Sequence, residues 1–237
     1  MNRRTAIGIT WASQTVELVN NGHAVQLNAK DASPGKMTVG DKTYTLVQCH
    51  FHYGAEHTVS GKQYPFEAHC VHTKDGAAGN YGVFGVFFEI GAENAWLKNF
   101  EDKLSFSRRL SSEASAAAGF DLFGNPMDAT KRRLADGTTK STYTGPLEFK
   151  HLYGTDTRTK FWNYQGSFTT PPCTEAVDFY IMMTPQTMTQ AQLVKFKTAI
   201  GWAAADGNFR PPQPLNGRLV GGSGCKAPAS EGQTRCY

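Results

Sequence analysis

Short runs of alternating apolar and polar residues fill most of the first half of the chain, and Gly, Asn, Asp and Pro separate them. An alternation with a period of two sends successive side chains to opposite faces of an extended strand, so it is typical of a sheet with one buried face. The pattern therefore predicts a mainly β protein. The clearest runs lie at residues 16–19, 24–27, 44–53, 66–72 and 83–90.

Helical periodicity is restricted to a few places. The candidates are residues 93–104, 111–118 and 189–199, the last with Thr189 as its predicted N-cap. Residues 120–160 are irregular and polar, and for them we expect long surface loops with some short strand. After Val220 a Gly-Gly-Ser-Gly segment is typical of a flexible linker, which would divide one domain at residues 1–220 from a cysteine-containing tail at 221–237.

Charge and hydropathy argue against several classes of protein. The net charge is +4, and the Lys and Arg residues are scattered, which does not indicate binding to nucleic acid. No stretch approaches the roughly 18 to 20 apolar residues that span a bilayer, and the apolar run at the start is too short for a signal peptide. We therefore expect a soluble protein without a membrane span.

Five cysteines, at positions 49, 70, 173, 225 and 236, fit neither a disulfide scaffold nor the spacing of a zinc ribbon. The odd number leaves at least one thiol unpaired within a monomer. Cys225 and Cys236 bracket a polar tail that would gain order from a bridge. A bridge there favours an oxidising compartment, so we expect a secreted, periplasmic or organelle-lumen protein.

Three histidines in two strand-like runs form a candidate metal site. His50 and His52 are two residues apart, so both imidazoles leave the same face of a strand. A neighbouring antiparallel strand could place His69 beside them. Three neutral imidazoles with one open position are the ligand set of a catalytic zinc site, and Glu67, on the same face as His69, could accept that ligand's other N–H.

A lone His-x-His pair in a strand is more often an accident of surface or core than a metal site, but the surrounding residues favour the metal. His-Phe-His-Tyr-Gly, starting at His50, and Ser-Phe-Thr-Thr-Pro-Pro, starting at Ser167, belong to an ordered series of blocks that resembles the α-class carbonic anhydrases. The resemblance covers most of residues 16–220. The blocks lie at residues 20–24, 50–54, 56–59, 64–72, 164–175 and 208–218.

The resemblance implies a fold and an activity. The fold is a single, mainly β domain with a large, mostly antiparallel central sheet, a few short helices and a conical cleft that ends at zinc. In this family the histidines that match His50, His52 and His69 bind Zn²⁺. The activity is the reversible hydration of CO₂ to bicarbonate and a proton by attack of zinc-bound hydroxide, and sulfonamides inhibit it.

The resemblance also implies roles for single residues around the metal. Thr169 matches a threonine that accepts a hydrogen bond from zinc-bound hydroxide and donates to a buried carboxylate, which Glu56 matches. Because a hydroxyl that donates to Glu56 can only accept from the hydroxide, this pair would aim the nucleophile at CO₂. His23 matches the proton shuttle, for which a pKa near 6.5 is suitable. His57 matches a structural histidine behind the ligands.

The substrate is apolar, so its site is expected to be an apolar wall beside the metal. Phe168 and Phe179 stand where leucine and tryptophan are expected, which leaves the width of the pocket open. Thr170 is a candidate substrate contact on the same wall. The wall positions that the resemblance implies are Val71, Val83, Phe168, Val177 and Phe179.

The sequence departs from the family at its start. The segment that members carry before the part matching Val16 is absent, so we expect a fragment, a processed chain, or a protein completed by a second chain or a homodimer. Cys173 matches a cysteine whose usual partner lies in that segment, and Cys225 or Cys236 could replace the partner.

Three other interpretations use the same residues. A non-catalytic binding module of this fold typically loses a zinc histidine, and none is lost here. A zinc hydrolase acting on esters would use the same hydroxide, and the relative turnover of CO₂ and a phenyl ester discriminates between the two enzymes. A purely structural β protein requires the whole set of His, Glu and Thr residues to be a coincidence.

Overall fold

A computed structural model of the chain describes residues 6–10, 13–21, 23–30, 35–75, 77–104, 139–153, 160–200, 207–223, 225–226 and 235–236. The strands are β1 (Ile7–Thr10), β2 (Gln14–Asn20), β3 (Val25–Ala29), β4 (Lys36–Val39), β5 (Lys42–Tyr53), β6 (Thr58–Val59), β7 (Lys62–Gln63), β8 (Phe66–Lys74), β9 (Ala77–Ile90), β10 (Thr139–Leu147), β11 (Phe161–Gly166), β12 (Val177–Met182), β13 (Gln186–Met188), β14 (Gly221–Gly222), β15 (Cys225–Lys226) and β16 (Arg235–Cys236). The helices are α1 (Ala95–Lys98) and α2 (Gln190–Ile200), with single-turn 3₁₀ helices at Glu101–Lys103 and Phe149–His151.

One large sheet contains twelve of the described strands. Its main path runs β10-β2-β3-β5-β8-β9-β12-β11-β14, while β4 pairs with β5 and β1, and β13 pairs with β9. The strand β9 pairs in parallel with β12 and β13, and the other described pairs of the sheet are antiparallel. The prediction of a mainly β protein with a large, mostly antiparallel sheet and few helices is therefore confirmed.

The predicted helices have different outcomes. The helix α2 begins directly after Thr189, whose Oγ1 accepts a hydrogen bond from the Gln192 amide at 3.1 Å, as expected of an N-cap. The predicted helix at 93–104 is two short pieces. Asn94 caps the first, which is α1, and the second is the 3₁₀ turn at Glu101–Lys103. The predicted helix at 111–118 lies outside the described residues. No helix in the described ranges has the length and apolar character to cross a bilayer.

The expectation of loops with only short strand at residues 120–160 needs correction. A nine-residue strand, β10, lies there and pairs with β2, with Tyr143 opposite Val16. Its own sequence contains few apolar residues, so it lacks the alternation that identifies the other strands. Backbone pairing with β2 defines it as a strand. The predicted linker also contributes to the sheet, since Gly221 and Gly222 pair with β11.

The cysteines pair differently from what the family suggests. Cys173 is a free thiol, so the expected bond to Cys225 or Cys236 is not formed. The backbone register instead sets Cys225 opposite Cys236 between β15 and β16, and a bridge between them stays a prediction. In the main sheet, Cys49 and Cys70 form a disulfide that the sequence did not predict.

The two faces of the sheet carry different apolar clusters, because successive side chains of a strand point in opposite directions. The larger cluster packs under α1 and α2 and includes Cys49 and Phe51 of β5. The smaller cluster lies on the opposite face. Its buried members are Ala55, Val71, Val83, Phe87, Phe168, Val177, Phe179 and Ile181.

A buried histidine on the core face of β8 links folding to pH. His72 is 0% exposed, its ring packs edge-on against Phe84, and its Nδ1 donates to the carbonyl oxygen of Cys70 at 2.9 Å. Burial lowers the pKa of His72 to about 3, although backbone hydrogen bonds at Cys70 and Gly82 act in the opposite direction. The folded chain therefore holds this imidazole neutral at pH values where the unfolded chain protonates it.

We expect His72 to lower the free energy of unfolding by up to about 1.4 kcal/mol per pH unit as the pH drops from about 6.5 toward 3. The sign follows because the folded pKa of His72 lies below the unfolded value, so the unfolded chain binds more protons in that window. Urea unfolding across this range should give a shallower pH slope for His72→Gln than for the wild type. Equal slopes would contradict the assignment.

Candidate metal centre

The candidate ligands stand on two neighbouring strands of the main sheet. His50 and His52 leave the same face of β5, and the antiparallel register sets His69 of β8 directly opposite His50. The ring centroids are 4.9 Å apart for His50 and His52, 5.5 Å for His50 and His69, and 4.7 Å for His52 and His69. One ring nitrogen from each histidine lies within 4.8 Å of the other two, and all three residues are buried.

The second ring nitrogen of each histidine bonds to the protein. These bonds fix the orientation of the rings and indicate which nitrogen is available to a metal: Nε2 of His50 and His52, and Nδ1 of His69. His50 Nδ1 donates to Gln48 Oε1 at 2.9 Å, His52 Nδ1 donates to the carbonyl oxygen of Asn208 at 2.9 Å, and His69 Nε2 donates to Glu67 Oε1 at 2.8 Å.

The donor set fits a zinc ion. His52 Nε2 and Glu56 Oε2 are buried and have no hydrogen-bond partner within the described part of the chain, which is unfavourable for polar atoms away from water. Glu56 Oε2 lies 3.5 Å from His52 Nε2 and 3.6 Å from His69 Nδ1. A cation among the imidazoles would give His52 Nε2 a partner and balance the charge of Glu56, and three imidazoles suit Zn²⁺ better than the hard cations Mg²⁺ or Ca²⁺.

A buried carboxylate supports the ligand from β8. Glu67 is 0% exposed and accepts from His69 Nε2, from the amide of Glu56 at 2.9 Å, and from the amide and Nδ1 of His57 at 3.1 and 2.7 Å. Burial alone would raise its pKa, but His57 and His69 more than offset this and hold the pKa well below its usual range. Gly85 leaves room for it, since a Cβ there would lie 3.1 Å from Glu67 Oε1.

The same carboxylate extends the network beyond the three candidate ligands. Because His57 Nδ1 donates to Glu67, its Nε2 accepts a hydrogen bond from the Tyr164 hydroxyl at 2.6 Å. Burial raises the pKa of Tyr164, so its hydroxyl stays neutral and able to donate. His57, Glu67 and His69 lie close enough together for a metal. Both nitrogens of His57 are engaged, however, so we interpret the cluster as a hydrogen-bond network.

The pKa values of the three candidate ligands differ. Burial lowers the pKa of His50 well below its usual value, and the neighbouring His52 and His69 lower it further. Burial also lowers the pKa of His52, in spite of Glu56. For His69 the effect of burial is outweighed by Glu67, and the pKa is raised. A metal binds the neutral form of an imidazole, so the raised pKa of His69 increases the competition of protons with the metal at this ligand.

The predicted pair Glu56 and Thr169 lies at this site, but the two side chains are not joined. Glu56 Oε1 accepts from the Arg210 amide at 2.8 Å, and its other oxygen faces the histidines. The hydroxyl of Thr169 makes no hydrogen bond to Glu56 among the described contacts. Attraction between the carboxylate and the imidazoles favours this orientation, and Glu56 adds to the effect of Glu67 in raising the pKa of His69. Thr170 Oγ1 is buried without a partner in the described residues.

A small cavity borders the three histidines, and a larger cleft adjoins it. The inner one has a volume of about 10 Å³, roughly one water molecule, and the outer one is an open cleft of about 1320 Å³. Thr169 and Phe179 line both, and Val177 lines the cleft. The residues around the inner cavity are His50, His52, His69, Val71, Val83, Phe168, Thr169, Thr170 and Phe179.

The predicted proton shuttle lies at the edge of the site. His23 is half-buried in the turn between β2 and β3, outside the residues that line these two cavities. Its carbonyl oxygen accepts from Asn208 Nδ2 at 2.9 Å, and the carbonyl of Asn208 holds His52. Burial lowers the pKa of His23, and Glu56 partly offsets the effect. The structure therefore connects His23 to the ligand set through Asn208.

Sequence reasoning missed two residues that hold the ligands. Gln48 could have been found, because it precedes His50 by two positions and so lies on the same face of β5. Asn208 is 156 positions from His52, and its contribution is a backbone carbonyl, for which spacing and residue type give no signal.

Comparisons with known proteins identify relatives over most of the chain. A family model described as eukaryotic-type carbonic anhydrase matches residues 3–223. The chain is 34% identical over 205 residues to a carbonic anhydrase of Klebsiella pneumoniae. This match covers 86% of this chain and 68% of that protein.

Solved structures show the same fold. One is the α-carbonic anhydrase of Thermovibrio ammonificans in complex with the inhibitor sulfanilamide, with a TM-score of 0.68, 32% identity, and coverage of 91% of this chain and 78% of that chain. Another is dioscorin complexed with ascorbate, with a TM-score of 0.70, 25% identity, and coverage of 91% and 76%.

Proposed function

Because the chain belongs to the eukaryotic-type carbonic anhydrase family and is an enzyme of that type, we propose that it catalyses the reversible hydration of CO₂ to bicarbonate and a proton, with zinc as its cofactor. The observation that carries this proposal is the histidine set. Ring nitrogens of His50, His52 and His69 lie within 4.8 Å of one another, and the other nitrogen of each ring is held by a protein acceptor. That leaves three convergent donors and room for a fourth ligand.

Zinc in such a site supplies Lewis-acid chemistry, since it makes a water molecule acidic near neutral pH, an effect for which carbonic anhydrase is the established example. The chain's own residues set the conditions for that chemistry. Glu67 keeps His69 in the tautomer that presents Nδ1, because the carboxylate accepts from Nε2. Gln48 and Asn208 do the same for His50 and His52, which present Nε2.

Thr169 and Glu56 are proposed to orient the reacting water. Both line the cleft in front of the histidines, and Glu56 Oε2 has no hydrogen-bond partner in the described residues. With a cation held by the three histidines, that oxygen would be free to accept a hydrogen bond from the Thr169 hydroxyl. The hydroxyl can then only accept from the water, which directs the water's lone pair at the substrate.

The inner cavity is proposed as the CO₂ site. Its wall beside the histidines is formed by Val71, Val83, Phe168 and Phe179, with Thr170 as the polar edge. An apolar wall holds CO₂ without hydrogen bonds and disfavours the charged bicarbonate, which promotes product release. Val177 belongs to the same apolar cluster and borders the outer cleft.

His23 is proposed to pass the proton from the site to buffer. It is half-buried at the rim, close enough to be influenced by Glu56 and to lower the pKa of His50. Histidine is the side chain whose ordinary pKa lies closest to neutral, the lowered pKa of His23 favours release of the proton to buffer, and ordered water can bridge the ring to the site.

The His23→Ala variant is expected to slow CO₂ hydration about tenfold in dilute buffer, because water then carries protons less efficiently than the imidazole does. Added imidazole should restore the rate, whereas a bulky buffer of matched pH should not. Steady-state stopped-flow hydration at several buffer concentrations measures this. A defect that is indifferent to the buffer would remove His23 from proton transfer.

The proposed activity is tested by comparing substrates on one preparation. Purified chain should contain stoichiometric zinc by metal analysis, and removal of zinc with a chelator should abolish CO₂ hydration. A phenyl ester is the contrasting substrate, because water activated by zinc would attack activated esters as well as CO₂. Turnover of CO₂ should greatly exceed turnover of the ester, and the reverse would indicate an ester hydrolase.

A further inference from the structure

A disulfide lies directly behind the candidate metal ligands. Cys49 and Cys70 are backbone partners in β5 and β8, and a disulfide joins them. The next pair in the same register is His50 opposite His69. Because successive side chains point to opposite faces, the sulfurs lie in the larger apolar cluster while the imidazoles lie on the metal face. Each cysteine is thus the sequence neighbour of a candidate ligand.

We propose that the Cys49–Cys70 disulfide is a positioning element that keeps the two ligand strands in register for zinc. The inference rests on the proposed function, in which His50, His52 and His69 hold the metal. The disulfide is proposed to slow the release of zinc, and neither cysteine is proposed as a ligand.

The pairing of β5 with β8 is irregular close to the first ligand, and the disulfide lies next to this irregularity. The register of β5 against β8 shifts between Leu46 and Gln48, so an irregularity lies two residues from the first ligand. Movement of that irregularity past His50 would change its partner, and a slip of one residue turns a strand's side chains to the other face. A covalent bond at Cys49 lies between the irregularity and His50, so it blocks this movement.

The bond forms by a balanced exchange with an external disulfide. The Sγ atoms of Cys49 and Cys70 join, the two thiols give up two protons and two electrons, and the external disulfide is reduced to two thiols. Both cysteines are 0% exposed, so a reductant reaches them only when the strands open. The crosslink therefore persists once the chain has folded under oxidising conditions, and firm zinc retention depends on those conditions.

Zinc release from the full-length, zinc-loaded chain tests this. Peptide mapping without reduction should recover Cys49 linked to Cys70. The rate of zinc release is measured with an excess of a chromogenic chelator, well below the unfolding temperature. For the double variant Cys49→Val and Cys70→Ala we expect release to be about tenfold faster, which is the lower end of the loss in metal affinity when a residue that supports a ligand is removed. The matched control is Cys173→Ser, which removes the free thiol and should release zinc at the wild-type rate.

A second experiment measures zinc release in the presence of a reductant. Wild-type chain refolded with zinc and reductant should release zinc as fast as the double variant, and reductant should not change the double variant. If the double variant does not fold, the refolded, reduced wild type decides the question by the same comparison.

Three results would overturn the inference. They are unlinked cysteines in the native protein, equal release rates with only a lower unfolding temperature, and a reductant effect that persists in the double variant. Failure of the proposed zinc site is distinguishable, because the oxidised wild type would then bind no stoichiometric zinc, and a failure of CO₂ hydration alone would leave the comparison of zinc release rates unaffected.

Discussion

The His69→Ala variant is expected to purify without stoichiometric zinc and to lose CO₂ hydration with it. His69 is the only ligand that β8 contributes, so its loss leaves two imidazoles on β5, fewer than the three protein ligands of a catalytic zinc site. The loss also leaves Glu67 buried without one of its two imidazole partners, which weakens the framework around the site. Metal analysis after dialysis, together with stopped-flow hydration, measures both effects.

The matched control for this variant is His151→Ala. His151 is a surface histidine whose side chain is 62% exposed and pairs with Glu148, and it neither belongs to the candidate ligand set nor lines the two cavities. This control should keep full zinc and full activity, which separates loss of a ligand from loss of any histidine. Full retention of zinc by His69→Ala would overturn the assignment of the ligands.

The Thr169→Ala variant is expected to keep its zinc and to hydrate CO₂ about 10²-fold more slowly, the usual cost of removing one oriented hydrogen bond from an active site. Thr169 lines both the inner cavity and the cleft, whereas the hydrogen bonds that hold the three histidines come from other residues. The effect should therefore appear in the turnover number and not in metal content.

Thr169→Ser is the conservative comparison, because it keeps the hydroxyl while removing the methyl group. It should recover most of the turnover that Thr169→Ala loses. Unchanged turnover in Thr169→Ala would remove the hydroxyl from the mechanism, and equal loss in both variants would indicate that packing at this position matters more than its hydrogen bond.

The sequence was sufficient to predict the sheet and the location of the histidines, because both depend on local alternation. A period of two identifies β5 and β8, and the same period puts His50 and His52 on one face. The choice of His69 as the third ligand needed the family resemblance, since alternation does not say which strands pair. The register of β5 and β8 now supplies that step.

What the sequence did not reveal depends on contacts between distant segments. The strand β10 is specified by its pairing with β2 more than by its own residues. The support that His52 receives comes from a backbone carbonyl at Asn208, which residue type cannot indicate. The Cys49–Cys70 bond follows from a cross-strand register, and counting cysteines pointed instead to the tail.

The size of the inner cavity was equally inaccessible to sequence reasoning. The resemblance placed Phe168 and Phe179 on the substrate wall, and the structure adds that the space they leave beside the histidines is about 10 Å³. Packing of side chains from several strands decides such a volume, and a change of one methylene group alters it.

Zinc-dependent CO₂ hydration is tested most directly by stopped-flow measurement on the zinc-loaded chain, beside chain stripped of zinc and zinc-loaded chain treated with sulfanilamide. We expect rapid hydration that disappears when zinc is removed, returns when zinc is restored, and is blocked by the sulfonamide. Stoichiometric zinc without hydration above the uncatalysed rate, in a folded chain, would contradict the proposed activity.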